Sequence, residues 1–355
     1  MIASAGLKST ARGHFDGENC RQKMNPKLPL QYMPYGKYRF FASFEAEALL
    51  PPFKGSTFRG VFGVALKRVV CPLRGRECLD CLLRRQCVYA RVFENLTTRG
   101  DKAPSPPHPF VIEPMPGEAT RFYPGDPFAF TLLLFGWAND YLPYFVYAFE
   151  EMGKIGIGRH INDRRAGFRL DRVELGDEVV YDGREQNLVK KSPSKLFLGE
   201  READGSVSAI TLLLQTPMRL KFQNSLKAEL PFHVLIRACL RRIATLNQHY
   251  GAGEPALDYR GLVARSQAVA IRRADLHWYD WRRYSNRQDQ GMLMGGMVGS
   301  ITYRGDLAEY MPLLKYAEKV HLGKATTFGL GKVRFHIDDK KYLTNPVELK
   351  NVKKL

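Results

Sequence analysis

The sequence contains no long hydrophobic run and has few acidic residues for its size. Its longest apolar stretch, FAFTLLLFGWA (128–138), is too short to span a bilayer, and no apolar signal core precedes a cleavage site near the N-terminus. These absences predict a cytoplasmic protein without a membrane partner. Among 355 residues, Asp and Glu total 36 against 54 Lys and Arg, which gives a net charge of +18. Such an imbalance favours a polyanionic partner, nucleic acid before an acidic membrane.

Motifs for nucleotide binding and for catalytic zinc are also missing. The string GLGK in HLGKATTFGLGKV (321–333) is followed by Val333, where a P-loop requires Ser or Thr. The G-x-G of GKIGIGRHI (153–161) is followed by Asn162 instead of the third glycine of a dinucleotide site, and no H-E-x-x-H string occurs. Two interpretations of these basic, glycine-rich loops remain. They contact a phosphodiester backbone, or they only allow tight turns.

The two halves of the chain share a repeated segment. GWANDYLPYFVYA (136–148) and GDLAEYMPLLKYA (305–317) align without gaps and share Gly, Tyr, Pro, Tyr and Ala. Each segment follows an apolar strand, begins a helix with Pro in its first turn, and leads into a basic, glycine-rich loop. This similarity indicates duplication of a β-α-β-β-α-β unit. The predicted fold class is therefore α+β, with two tandem ferredoxin-like domains.

The polar, turn-rich string LGEREADGS (198–206) is the predicted boundary between the domains. Within the halves, the first ordered strand is expected at 38–48 and a hairpin within 291–306. The predicted organisation is a disordered leader (1–34), an N-terminal domain (35–198) with a Cys-rich insertion (71–94), a C-terminal domain (206–340) and a basic tail (341–355).

Four cysteines fall within CPLRGRECLDCLLRRQC, spaced C-x6-C-x2-C-x5-C. Disulfides are rare in the cytosol, and short loops allow four thiolates to converge on a tetrahedral metal. Four ligands leave no open position, so the predicted role is structural, with zinc as the metal and an iron–sulfur cluster as the alternative. The predicted ligands are Cys71, Cys78, Cys81 and Cys87.

The ordered set of motifs over residues 36–336 resembles a known family. It comprises FRGVFGVAL with the thiol cluster, VYARVFE, PHPFVIEP, YPGD, LFGWA, DWRRYSNRQ, GGMVGSITYRGDL and HLGKATTFGLGKV. It resembles RAMP proteins, and more specifically the CRISPR-associated endoribonucleases that process precursor crRNA. The resemblance implies cleavage of repeat RNA without a catalytic metal. The 2′-hydroxyl attacks, leaving a 2′,3′-cyclic phosphate and a 5′-hydroxyl, and the crRNA passes to an interference complex of CRISPR-associated proteins.

Such a cleavage needs a base, an acid and positive charge at the phosphorane. Histidine suits acid–base work because its unperturbed pKa is about 6.5. His321 is the first candidate, although it can equally cap the preceding helix. Lys324 is the predicted phosphate electrophile, Tyr284 a helper and His160 the second histidine.

The predicted RNA contacts combine basic side chains with glycines of the C-terminal loop and one aromatic ring for base stacking. They are Arg159, Arg164, Arg165, Arg219, Lys221, Arg282, Arg283, Arg287, Gly323, Phe328, Gly329, Gly331 and Lys332. A non-catalytic RNA-binding subunit of a CRISPR ribonucleoprotein complex is the alternative function, because it predicts the same basic loops.

Overall fold

The computed structural model describes residues 32–73, 77–94, 106–199, 206–223, 225–285 and 290–338, without the side chains of 282–292. The predicted tail, most of the predicted leader and most of the predicted domain boundary lie outside these residues. The described residues of both halves belong to one compact unit. No helix in this part of the chain is both long and apolar enough to cross a membrane.

The first half contains a large antiparallel sheet and two helices on one of its faces. Its helices are α1 (Gly55–Val70) and α2 (Leu142–Ile155). Its strands are β1 (Tyr32–Phe44), β2 (Ala48–Leu49), β3 (Phe110–Glu113), β4 (Arg121–Phe122), β5 (Pro127–Phe135), β6 (Ile157–Ile161), β7 (Arg164–Ala166), β8 (Phe168–Leu175), β9 (Glu178–Asp182), β10 (Asn187–Leu188) and β11 (Ser194–Phe197).

The spacing of apolar residues explains why α1 forms and which face it buries. Phe58, Val61, Phe62, Ala65 and Leu66 recur at the i, i+3, i+4, i+7 and i+8 positions of one helical stripe, and all five are buried. The helix packs against α2 and the sheet through this stripe. Its N-terminal turn has no side-chain cap and no acidic residue.

The strand order of the first sheet is β10-β9-β8-β1-β5-β3, with β11 also paired to β1. Taken in chain order, β1, β3, β5 and β8 are the four strands of a β-α-β-β-α-β unit. In the sheet they lie in the order β8-β1-β5-β3. The fourth strand of the unit therefore pairs with the first, the first with the third, and the third with the second, all antiparallel. This half therefore has the ferredoxin-like arrangement predicted from the sequence.

The second half repeats this arrangement. Its helices are α3 (Phe232–Tyr250), α4 (Tyr259–Arg265) and α5 (Met311–Val320), and its strands are β12 (Ala209–Met218), β13 (Ala270–Ser285), β14 (Gln290–Arg304) and β15 (Val333–Ile337). The sheet order is β13-β14-β12-β15, which is the second, third, first and fourth strand. The α+β fold with two ferredoxin-like units is confirmed.

The repeated segments occupy equivalent positions in the two units. Each begins at a glycine with positive φ, Gly136 and Gly305, and each passes through a 3-10 turn into a helix. Pro143 and Pro312 both lie in the first helical turn, where an amide proton would have no helical partner. The helices α2 and α5 then lead, respectively, to the β6–β7 hairpin and to the glycine-rich loop before β15.

The sheet of the first half is buried on both faces. Along β5, Leu132 and Leu134 face a core shared with α1 and α2, whereas Leu133 faces a second core. Val111 of β3 and Met33 of β1 also belong to this second core, which includes α3 and α5. The two units are therefore joined by a continuous apolar contact, since strand alternation sends side chains to both faces.

Two expectations about element boundaries were wrong. The first strand begins at Tyr32 instead of residue 38, so residues 32–34 of the predicted leader belong to the sheet, paired with β11. The segment 291–306 is not a hairpin. Its residues up to Arg304 lie in the single strand β14, and the hairpin forms between β13 and β14.

Candidate nucleic-acid interface

The glycine-rich loop, residues 321–332, connects α5 to β15, and its backbone packs tightly against itself and against neighbouring segments. Gly329 and Gly331 have φ values of 81° and 75°. A Cβ on Gly331 would lie 1.8 Å from the Leu322 carbonyl oxygen, and one on Gly329 would lie 2.7 Å from that of Ile112. Both glycines are buried, and both amides donate to carbonyl groups of the protein. Their clear role is packing, and their contact with RNA stays a prediction.

His321 lies in the interior at the start of this loop. Its side chain is fully buried, and its φ is 59°. Nδ1 lies 3.0 Å from the Leu330 carbonyl oxygen, and Nε2 lies 2.8 Å from Oε1 of Glu113. With both ring nitrogens engaged and no exposed surface, His321 does not reach a ligand in this conformation. The arrangement favours the structural interpretation, and its catalytic role stays a prediction.

Glu113 ends β3 in the first half and connects this half to the loop of the second. Its Oε2 accepts from Nζ of Lys332 at 2.8 Å, while Oε1 meets His321. Burial alone would raise the pKa of this carboxyl. The hydrogen bonds and charges of His321 and Lys332 outweigh it and lower the pKa to about 2. The three side chains form a largely buried hydrogen-bonded cluster, named here the Glu113 cluster, that joins the two units.

The loop also packs against the start of α1. A Cβ on Gly55 would lie 2.0 Å from the Phe328 carbonyl oxygen, so the two backbones touch there. The Arg59 guanidinium lies 4.0 Å from the ring centroid of Phe93 and 5.1 Å from that of Phe328. Phe53, just before the helix, contacts Trp281 of β13 with ring centroids 5.0 Å apart. The start of α1 is therefore a meeting point of the loop and β13.

The β6–β7 hairpin is a third element beside α1. It contacts both α1 and β2, and a Cβ on Gly158 would lie 2.5 Å from the Leu49 carbonyl oxygen. Asn162 and Asp163 have φ values of 50° and 62°, as a tight two-residue hairpin turn requires. His160 is exposed on this hairpin. The segment predicted as a loop is thus a β-hairpin on which Arg159 and Arg164 are exposed.

Strands β13 and β14 extend past the rest of the second sheet as a two-stranded ribbon. β12 pairs with β14 only from Met297 onward, whereas β13 pairs with β14 along its whole length. Tyr279 and Trp281 stack on one face, with ring centroids 5.8 Å apart. Arg219 donates from Nη1 to the Gly295 carbonyl oxygen at 2.7 Å, which attaches its side chain to the ribbon.

The structure sorts the predicted site residues by exposure. The exposed ones are Lys324, His160, Arg159, Arg164 and Lys221. The half-buried ones are Arg165, Arg219, Gly323, Phe328 and Lys332. The side chains of Arg282, Arg283 and Tyr284, and all of Arg287, lie outside the described part of the chain. Lys324 therefore shares a loop with His321, but only Lys324 faces solvent.

Three buried polar atoms in α1, β7 and β13 have no hydrogen-bond partner within the described protein. They are Ser56 Oγ in the first turn of α1, Arg165 Nε in the hairpin and Trp281 Nε1 in the ribbon. Buried polar groups are nearly always satisfied, so each of these atoms is a candidate contact for a polar ligand. Sequence reasoning did not single out Ser56 or Glu113. Glu113 lies within the motif PHPFVIEP, but its partners His321 and Lys332 lie more than 200 residues later in the chain and become its neighbours only through folding.

The predicted metal ligands lie at the far end of α1. Cys71 ends the helix, and burial raises the pKa of the Cys78 thiol, opposed by Lys67 and reinforced by Glu94, Cys87 and Cys71. The cysteines are free, and Cys78 and Cys87 pack partly against the first core. Within the described residues, no three side chains of His, Cys, Asp or Glu are already arranged as metal ligands. The zinc site stays a prediction, supported by the donor set.

Comparison with known families divides the chain into two parts. Residues 32–193 match the AF_1859_N family, described as an N-terminal domain. Residues 212–333 match the family of the CRISPR-associated endoribonuclease Cas6. An uncharacterized protein of Archaeoglobus fulgidus is 28% identical over 290 residues, which cover 80% of this chain and 92% of that protein.

Solved structures share the fold at low sequence identity. The Cas6 (TTHB231) product complex aligns with a TM-score of 0.50 and 15% identity, covering 85% of this chain and 100% of that chain. A chain of a partial Cas6-RT-Cas1–Cas2 complex aligns with a TM-score of 0.52 and 13% identity, covering 88% of this chain. This chain spans 47% of that longer one.

Proposed function

We propose that this chain, a RAMP-fold protein whose C-terminal half belongs to the family of the CRISPR-associated endoribonuclease Cas6, binds and cleaves CRISPR repeat RNA. The observation that carries the proposal is the convergence of three elements on α1. The glycine-rich loop, the β6–β7 hairpin and the β13–β14 ribbon all contact this helix. Each was predicted from the sequence as an RNA-binding segment, and their contact with one helix supports the proposal.

The chemistry of this surface fits an RNA backbone. The first turn of α1 has no side-chain cap and no acidic residue, and helix N-termini favour anions. Arg159 and Arg164 on the hairpin and Lys324 on the loop are exposed cations. The half-buried rings of Tyr279 and Trp281 supply a face on which an unpaired base can stack.

We propose cleavage by the 2′-hydroxyl adjacent to the scissile phosphate, leaving a 2′,3′-cyclic phosphate and a 5′-hydroxyl, without a catalytic metal. His160 is the favoured acid–base residue because it is an exposed histidine among arginines. Lys324 would neutralise the phosphorane. His321 would act by holding the loop that carries Lys324, since its own ring is enclosed.

The test is cleavage of a repeat RNA by the full chain in EDTA, with the ends analysed for cyclic phosphate. We expect His160→Ala and Lys324→Ala each to reduce the rate by about 100-fold or more, with binding little changed for the histidine variant. His336→Ala is the matched control, because His336 is exposed on the outer strand β15 of the second sheet.

Two results would contradict parts of this proposal. Tight repeat-RNA binding with no product would refute the enzyme and support the non-catalytic subunit. Normal cleavage by His160→Ala would remove that residue from the mechanism while leaving the endoribonuclease assignment intact. A role beside other CRISPR-associated proteins is part of the proposal, because one neighbour in fold belongs to a complex with Cas1–Cas2.

A further inference from the structure

The segment 71–87, named here the thiol segment, has almost no apolar core of its own. None of its described residues, 71–73 and 77–87, is buried. Leu82 is 88% exposed and Leu83 is 44% exposed, so its leucines do not hold it to the domain. Apolar packing therefore does not hold this segment in one conformation, and a structural metal is one way in which short segments are stabilised.

Both ends of the thiol segment are nevertheless anchored to the first core. At one end, the amide of Cys71 donates to the Lys67 carbonyl oxygen at 3.0 Å and closes the last turn of α1. At the other end, Cys87 accepts from the Arg91 amide at 3.0 Å, at the start of a helical turn that buries Val88 and Tyr89. The backbone of two of the four cysteines, Cys71 and Cys87, is therefore hydrogen-bonded to helical turns of the first domain.

The other two thiols lie on tight turns between these anchors. Cys78 begins a 3-10 turn, and the Cys81 amide donates to the Cys78 carbonyl oxygen at 3.4 Å. The next turn is closed by the Arg84 amide, which donates to the Cys81 carbonyl oxygen at 3.1 Å. Turns joining C-x-x-C pairs are the usual frame of tetrahedral thiolate sites.

We propose that a structural zinc ion holds the thiol segment together, bound by the thiolates of Cys71, Cys78, Cys81 and Cys87. The thiols do not form a closed ligand set beforehand, so binding would draw the turns inward, as when metal binding is coupled to folding. A zinc ion with four thiolates carries two negative charges. Lys67 and Arg68 in the last turn of α1, with Arg84 and Arg85 in the segment, offset them.

The direct test is the metal content of the full-length protein, purified and freed of loosely bound ions. We expect about one zinc per chain and no visible absorption, and cobalt exchanged into the protein should give the spectrum of a tetrahedral thiolate complex. Protein with less than about a tenth of an equivalent of zinc would overturn the proposal. An iron–sulfur absorption band would overturn the zinc assignment.

A pair of variants tests the ligands themselves. Cys81→Ser should lower the zinc content several-fold, and a thiol-competing chelator should lower the melting temperature of the wild-type protein but not of this variant. Leu82→Ser is the matched control, because it changes the adjacent exposed residue and keeps every thiol. Equal zinc content in both variants would refute coordination by Cys81. If Cys81→Ser does not fold, the wild-type metal content and cobalt spectrum decide.

Discussion

Removing the carboxylate of the Glu113 cluster should destabilise the protein strongly and in a pH-dependent way. The pKa of Glu113 falls from an ordinary 4.5 to about 2 in the folded protein. At 1.36 kcal/mol for each pKa unit, this difference corresponds to about 3 kcal/mol of folding free energy. The side chain is only 13% exposed, so solvent screening removes little of this amount. We expect Glu113→Gln to lose a large part of it at neutral pH.

The sign of the pH dependence follows from the direction of the shift. A carboxyl whose pKa is lower in the folded state contributes stability at pH values above its unfolded pKa. For Glu113 this stability is complete above a pH of about 5 and is lost progressively as pH falls through 4.5 towards 2. The difference in unfolding free energy between the wild type and Glu113→Gln should therefore shrink over that range.

Urea unfolding at neutral and acidic pH measures this difference. Glu47→Gln is the matched control, because Glu47 pairs with Arg121 at the surface, where the side chains are 33% and 60% exposed. Such a pair contributes about 1 kcal/mol or less. An effect of Glu113→Gln no larger than that of Glu47→Gln, or one that does not change with pH, would refute the argument that a buried charged cluster joins the two units.

Two further predictions concern the loop and the hairpin. Gly331→Ala should lower the unfolding free energy by about 2 kcal/mol or more, because its Cβ would lie 1.8 Å from the Leu322 carbonyl oxygen. The control Gly176→Ala places its Cβ where nothing lies within 4 Å, and it should lower the unfolding free energy by only about 1 kcal/mol. Equal melting temperatures for the two variants would contradict this prediction. Arg159→Ala should weaken repeat-RNA binding and reduce the salt dependence of the affinity by about one phosphate contact, measured by filter binding at several salt concentrations. Arg184→Ala, in the β9–β10 turn, is the control, and an identical salt dependence in both variants would remove Arg159 from the interface.

Much of the fold could be predicted from local patterns. The shared string at 136–148 and 305–317 revealed the duplication, because each copy starts a helix after a strand and needs the same Gly and Pro. The 3.6-residue pattern of α1 likewise reports its buried face. These features depend on neighbours within a few residues, and such neighbours are visible in sequence.

Other features depended on contacts between distant segments. The segment 291–306 was predicted to contain a hairpin, yet its residues up to Arg304 lie in the single strand β14. A Cβ on Gly295 would lie 2.0 Å from Oδ1 of Asp280, and one on Gly296 would lie 2.9 Å from Pro217. Those glycines make room for neighbouring strands instead of turning the chain, and only the paired strands distinguish the two uses.

The sequence by itself determined the fold class, the repeated unit, the basic character of the surface and the thiol spacing. All of these are local patterns or sums over composition. Only the tertiary structure showed that the His321 side chain is buried, because its partner Glu113 lies 208 residues earlier in the chain. It also decided that the glycine-rich loop, the β6–β7 hairpin and β13 all contact α1. Burial and charge pairing depend on which residues become neighbours in space, and the positions of residues along the chain do not reveal those neighbours.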